Sequence, residues 1–484
     1  MSRADDFKIE NGVLTGYFGK DSVVTIPDGV TSIGDSAFCD CERLRTVNIP
    51  DSVTSIGDIA FGWCKRLQTV NIPNSVTSIG DSAFCECERL QTVNIPDSVT
   101  SIGCEAFCEC EDLRNVTISN GVISIGDGAF CECEKLQTVN LPDSVTYIGD
   151  DAFYGCRSLR VVTIPNGITY IGVEAFKGCA KLQYTEYQGG LYLGNGDNPY
   201  LALMRLKDTR IEISEIHKST KIIGALAFRD CETLKAVIIP DGVTSIGGCA
   251  FCGCENLQAV TIPDGVIYIG HSAFSSCTKL QSVTIPYSVT SIEDGAFSRC
   301  ESLQAVNIPD NVSSIGVGAF GGCKSLQSVT IPESVTSIGN SAFDGCENLK
   351  LVTLPKDLSS VKVSPHTLRS LALSPAVWEN FDGGTQLDIY INFRSKSLVA
   401  AYDACIKDYT DLCRRYLALV EGDPSVKKCN AAPVLIDSAL SHGVSVELPR
   451  RIYTALKSCK NGKKAVAVIE SSSTIISKLK CGDA

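Results

Sequence analysis

The chain of 484 residues contains no stretch of about 20 consecutive apolar residues, which excludes a membrane-spanning helix. Its start, Met1-Ser2-Arg3-Ala4-Asp5-Asp6-Phe7, has no apolar h-region, so no signal peptide is expected and the expected location is cytoplasmic. Histidine is scarce. His217, His271, His366 and His442 are scattered over different regions, and only His271 falls in a regular repeat. No Gly-x-Ser-x-Gly elbow, P-loop or paired-carboxylate motif accompanies them. The sequence therefore assigns no catalytic residue, no cofactor and no metal. Basic charge is also short over residues 1–360, with 26 Lys+Arg against 43 Asp+Glu for a net of −17. A surface of that sign repels phosphate backbones, so nucleic acid is not an expected partner. Residues 361–484 carry a net of +5 without a long Lys/Arg run.

Repetition is what the chain has in abundance. An Ala-Phe landmark recurs every 23 residues at Phe38, Phe61, Phe84, Phe107, Phe130, Phe153 and Phe176, then again at Phe228, Phe251, Phe274, Phe297, Phe320 and Phe343. A fixed period of that length signals a solenoid, in which one unit cannot close a core alone and stacking makes a continuous one. Spacing within the copy 73–95 assigns the roles. Leu90, Val93 and Ile95 read as a short strand, with the last two on one face. Pro73 ends the preceding strand, because it has no N–H to offer a ladder. Val76 and Ile79 point inward, Gly80 lets the chain turn, and Asp81-Ser82-Ala83-Phe84 reads as one helical turn capped by Asp81. Phe84 is the large core filler, with the small Cys87 beside it.

In chain order, residues 1–25 read as an N-terminal cap, since Glu10-Asn11-Gly12 between apolar runs signals a hairpin. Residues 26–183 hold the first block of repeats. Residues 184–217 break the period as an irregular insert, with a hairpin around Gly189-Gly190 and a further strand over 200–206. Residues 218–360 hold the second block. Residues 361–484 read as a small helical region, from Leu368, Leu371 and Ala372 and from the stripe Tyr402, Ile406, Tyr409, Leu412, Cys413, Tyr416 and Leu417.

The unit Ile-Pro-x-x-Val-Thr-x-Ile-Gly-x-x-Ala-Phe-x-x-Cys-x-x-Leu-x-x-Val resembles the repeat of the BspA-like leucine-rich repeat proteins. The cap at Phe7–Tyr17 and the insert from Tyr192 to Leu201 resemble segments of bacterial members. The resemblance covers about residues 7–360. It implies a leucine-rich-repeat solenoid, a parallel β-strand row with short helical turns. It also implies a role in binding matrix proteins or other cells, with a surface or extracellular location as the alternative to the cytoplasm. The family supplies no shared catalytic residues.

Of the 25 cysteines, 20 lie inside the repeats, and without a secretion signal they read as free thiols. The column from Cys41 to Cys346 reads as small side chains stacked inside successive coils, because metal binding needs converging ligands and a ladder lines them up. Cys85, Cys108 and Cys131 sit in consecutive coils at outward positions, within reach of a disulfide. Asp28, Asp51 and Asp97 after the proline read as turn residues, and Asp35, Asp58, Asp81, Asp127 and Asp150 as helix-turn caps. Gln68, Thr69 and Asn71, then Gln91, Thr92 and Asn94, would give the strand row a uniform polar face. Aromatics gather instead near the insert, so Tyr147, Tyr170, Tyr187, Tyr192 and Tyr200 are the candidate partner-binding residues. The expected function is a non-enzymatic protein–protein interaction or adhesion-type scaffold. The alternative is an effector or enzyme activity in residues 361–484, with the repeats as targeting module.

Overall fold

The structure is a computed structural model. It describes residues 4–349, 351–353, 361–363, 447–458 and 463–471, together with Leu417, Ala432, Leu435, Ile436 and Ile475. The chain divides into two compact units, Met1–Cys300 and Glu301–Ala484.

In the first unit the repeats form a solenoid, and each coil contributes two short strands where the sequence suggested one. Thr69–Asn71 pairs in parallel with Thr46–Asn48, so that Val70 lies opposite Val47. Ser78–Ile79 pairs in parallel with Ser55–Ile56. Repetition of these pairings builds one row of mostly three-residue strands and a second row of two-residue strands. Alternation places Val70, Val93 and Ile95 inside and leaves Thr69, Asn71, Thr92 and Asn94 exposed.

The aligned phenylalanines are buried and stack on one another. The centroids of Phe84 and Phe107 lie 5.2 Å apart with the rings 2° from parallel. Phe107 and Phe130 repeat the arrangement at 5.3 Å. Most column cysteines have a bonding role besides their small size. The Cys87 thiol donates to Phe61 O at 3.3 Å, and Cys110 to Phe84 O at 3.3 Å. A buried carbonyl of one coil is thereby satisfied by the next coil.

The Asp81–Phe84 run corrects the sequence reading. It forms tight turns, with Ser82 at φ 52° and Glu86 at φ 54°, and no helical turn. Asp81 does not cap its own turn; its Oδ1 accepts from Cys104 N, one coil on, at 2.7 Å. Asp35, Asp58, Asp127 and Asp150 bracket successive coils in the same way. Gly80 is likewise small for spacing and not for φ, because a Cβ there would lie 2.7 Å from Asp58 N.

Two hairpins interrupt the regularity of the first unit. Phe7–Glu10 and Val13–Tyr17 pair antiparallel around Asn11 (φ 51°) and Gly12 (φ 82°). Val13–Tyr17 then runs parallel to Ser32–Ile33, with Leu14 opposite Ile33. In the insert, Thr185–Tyr187, Gly190–Leu193 and Ala202–Leu206 form an antiparallel meander. Its first turn is Gln188-Gly189, both at positive φ, and not the Gly189-Gly190 of the sequence reading. Ala202–Leu206 runs parallel to Ile222–Ile223 and begins the second block.

In the second unit, Ala305–Asn307, Ser328–Thr330 and Leu351–Thr353 pair in parallel as one set of strands, and Ser314–Ile315, Ser337–Ile338 and Lys362–Val363 as another. Two helices are described, Glu447–Ser458 and Lys463–Ser471. Ile452, Leu456, Ala465 and Ile469 are buried on them, and Tyr453 OH donates to Glu470 Oε1 at 2.6 Å. Leu417 is helical and buried. Leu368, Leu371 and Ala372 and the rest of the expected stripe, Tyr402 to Tyr416, lie outside the described residues.

Candidate binding surface at the insert

The row of two-residue strands that starts at the N-terminal hairpin ends at Tyr170–Ile171, and the insert meander begins a new sheet. At that break the structure gathers the candidate tyrosines into two clusters. Tyr147 and Tyr170 occupy the same register position in adjacent coils and stack at 4.8 Å, 10° from parallel. Tyr268 meets Tyr170 edge-on at 5.6 Å. Tyr170 and Tyr268 belong to different blocks, and regular stacking would hold them about four coils, on the order of 20 Å, apart. Their contact is therefore a product of the break. Tyr170 OH donates to Asp150 Oδ1 at 3.0 Å. Burial, and then the Asp150 charge, push the Tyr170 phenol well up, and burial followed by the Glu293 charge raises Tyr268 to about 12. Both rings are thus neutral donors at physiological pH.

The second cluster centres on a residue that the sequence reading passed over. His217 stacks on Tyr200 at 3.9 Å and meets Tyr187 edge-on at 4.8 Å. Its Nδ1 accepts from Ser219 N at 3.2 Å. Burial, with Lys218 adding, holds its pKa below the ordinary imidazole value. Tyr187 and Tyr200 are half-buried. Tyr192 is a correction: it is 1% exposed, too enclosed to touch a partner. Its hydroxyl accepts from His217 N at 3.2 Å, and its ring meets Tyr200 edge-on at 5.7 Å. It supports the cluster from beneath.

Turn chemistry fixes the loop that carries Tyr200. Asn195 Oδ1 accepts from Asp197 N and Asn198 N at 3.0 and 2.9 Å, and Asn198 Oδ1 accepts from Tyr200 N at 3.2 Å. Asn195 Nδ2 also donates to Ile164 O at 2.9 Å, tying the loop to the first block. The break also opens a cavity of about 330 Å³ whose walls include Phe176, Tyr184, Met204 and Arg205. The Arg205 guanidinium lies over the Tyr184 ring at 5.5 Å. Sequence spacing could not bring Tyr268 or His217 to the site, because both contacts depend on how the insert redirects the chain. The run of tyrosines itself was the signal.

Among the described residues, no group of three or more His, Cys, Asp and Glu side chains is placed to hold a metal ion, and no helix is long and apolar enough to cross a membrane. Residues 17–113, 77–194, 205–325 and 290–366 match the family described as "BspA type Leucine rich repeat region (6 copies)". Among solved structures, a leucine-rich repeat protein from Bacteroides ovatus is 31% identical, with 71% of this chain and 83% of that chain covered and a TM-score of 0.35. A leucine-rich cell surface protein from Faecalibacterium prausnitzii is 28% identical, with 74% and 93% covered and a TM-score of 0.31. A leucine-rich repeat protein from T. pallidum is 34% identical, with 38% and 90% covered and a TM-score of 0.36. No curated protein matches the chain.

Proposed function

Since the chain belongs to the BspA-type leucine-rich repeat family, we propose that it is a non-enzymatic protein-binding or adhesion-type scaffold whose specific contact is made at the insert. The observation that carries this reading is the rigid aromatic grouping of Tyr187, Tyr200 and His217 beside the insert loop. Tyrosine supplies large contact area at low conformational cost, and accessible rings beside a fixed loop are the usual anchors of a protein interface. Tyr147, stacked on Tyr170 and 38% exposed, adds a second anchor. The strand row is less uniform than its repeats suggest, because Val161, Ile213 and Ile238 are exposed among its polar residues, and it adds breadth to the contact.

The test is a pull-down from extracts and from surface-labelled cells with the full chain, comparing wild type with the triple variant Tyr147→Ser, Tyr187→Ser, Tyr200→Ser. Loss of the captured proteins with unchanged circular dichroism is the expected result. Retention of every partner would remove the insert as the recognition site. Capture confined to the surface-labelled fraction would also place the scaffold outside the cell rather than in the cytoplasm.

A further inference from the structure

Two sets of half-buried thiols stand outside the buried column. Cys85, Cys108 and Cys131 form a row across three coils, where hydrogen bonds to Cys108 lower the Cys85 and Cys131 thiols against burial and the carboxylates of Glu86, Glu109 and Glu132. The second set is Cys249-Ala250-Phe251-Cys252, which lies within one turn. Cys249 sits at φ 52°, and Cys252 N donates to Cys249 O at 3.1 Å, closing the turn. Ala250 and Phe251 are buried between them, so both flanking thiols are held at the surface, where they hydrogen-bond to each other.

The neighbouring coils complete the site. Asp230 N donates to Cys252 O at 2.8 Å and Gly253 N to Ser275 O at 2.9 Å, which puts Arg229 and Ser275 on either side of Cys252. Arg229, ion-paired to Asp230 at 3.3 Å, and Asp230 itself are the charged groups from the preceding coil. From the following coil come Ser275, which hydrogen-bonds the Cys252 thiol, and His271, whose O accepts from Cys249 N at 2.8 Å and whose ring packs against Gly248.

We propose that Cys249 and Cys252 form a thiol–disulfide exchange site for low-molecular-weight disulfides, with Cys252 attacking and Cys249 resolving. The hydrogen bond from Cys249, helped by Arg229 and opposed by burial and Asp230, brings Cys252 down to about 7. The same bond, with burial, raises Cys249 well above an ordinary thiol. At neutral pH one thiol is thus partly ionised while the other holds its proton, the division that nucleophile and resolving thiol require.

In the first step the Cys252 thiolate attacks one sulfur of the disulfide RSSR. The Cys252–S–S–R bond forms, the S–S bond of RSSR breaks, and RS⁻ leaves. Cys249 then gives its proton to the departed thiolate or to water and attacks the Cys252 sulfur. A Cys249–Cys252 disulfide forms and a second RS⁻ leaves. Two electrons pass from the protein to RSSR, and two protons appear on the released thiols or in solution.

The experiment incubates the full chain with oxidised glutathione and maps every cysteine by mass spectrometry over time. The expected result is that the 249–252 peptide loses two hydrogens before any thiol of the Cys85–Cys108–Cys131 row reacts. Cys249→Ser should stop at a glutathione adduct on Cys252, and Cys252→Ser should slow the reaction about threefold, because the roughly tenfold larger thiolate fraction of a thiol near pKa 7 is partly offset by its weaker intrinsic nucleophilicity. Arg229→Gln leaves both thiols in place and should move the pH midpoint of Cys252 alkylation upward. Absence of the Cys252 adduct in Cys249→Ser, or prior consumption of the row, overturns the proposal.

Discussion

The N-terminal hairpin and the insert meander perform the same task at two points of the chain. Gly34 N donates to Leu14 O at 2.8 Å, and Gly224 N donates to Leu203 O at 2.7 Å. Tyr17 N donates to Ala37 O, and Leu206 N to Ala227 O. Each hairpin thus presents one strand, in the same register, to the first coil of a block. The difference lies in what it adds. Tyr17 extends the aromatic ladder, its ring 5.1 Å from Phe38. The matching position in the insert is Leu206, which carries no ring, and the aromatics of that region are spent on the surface cluster around His217. A solenoid edge must be covered wherever a block starts. How it is covered is free to differ, and the insert uses that freedom to gather Tyr187, Tyr200 and His217.

The strongest break of this comparison comes from the ladder both hairpins serve. Phe153→Ala removes a ring stacked on Phe130 and Phe176 at 5.4 Å on each side. It should cost about 3–5 kcal/mol in denaturant melts, and a loss below about 1 kcal/mol would mean that the ladder does not hold the coils. Next, Leu14→Ala and Leu203→Ala, both fully enclosed, should each cost about 2–5 kcal/mol. Hydrogen exchange should rise over residues 23–48 in the first variant and over 213–238 in the second. A neutral Leu203→Ala would show that the insert decorates the second block without sealing it.

The smallest expected effect is one of pH and belongs to the insert alone. The folded His217 pKa lies below its unfolded value. The unfolded chain therefore binds the proton first as pH falls through about 6.5, so the insert is fully stable above that value and loses stability below it. His217→Phe should remove this dependence, and exchange protection over 185–206 measured against pH reads it directly. Identical pH curves for wild type and variant would assign the sensitivity to other groups.

The period, the two hairpins and the inward columns were legible because each is a local pattern. Asn11-Gly12 dictates its turn, and apolar alternation at Val93 and Ile95 dictates a face. The second row of strands escaped because Ser78–Ile79 is only two residues long and its partners lie a full coil away. The aspartates were read within their own coil, where Asp81 suits a cap, although the geometry sends the side chain to Cys104 N in the next one. Tyr268, His217 and the Cys249–Cys252 pair were missed for a related reason. Tyr268 stands before Ile-Gly as Tyr147 and Tyr170 do, and Cys252 follows its Phe as Cys85 does. The contacts of Tyr268 and His217, however, arise only through the break at the insert, and Cys249 meets Cys252 only in the folded turn.

Because the second block starts from its own hairpin, its coils do not depend on an unbroken count from the N-terminus. Near-identical 23-residue units are prone to duplication and loss by unequal recombination. Inserting or deleting a whole unit upstream of residue 184 would leave the contacts of Leu203 and Leu206 untouched. The molecule can therefore change length over generations while the loop that carries Tyr200 keeps its immediate surroundings, a tolerance that one uninterrupted stack would not provide.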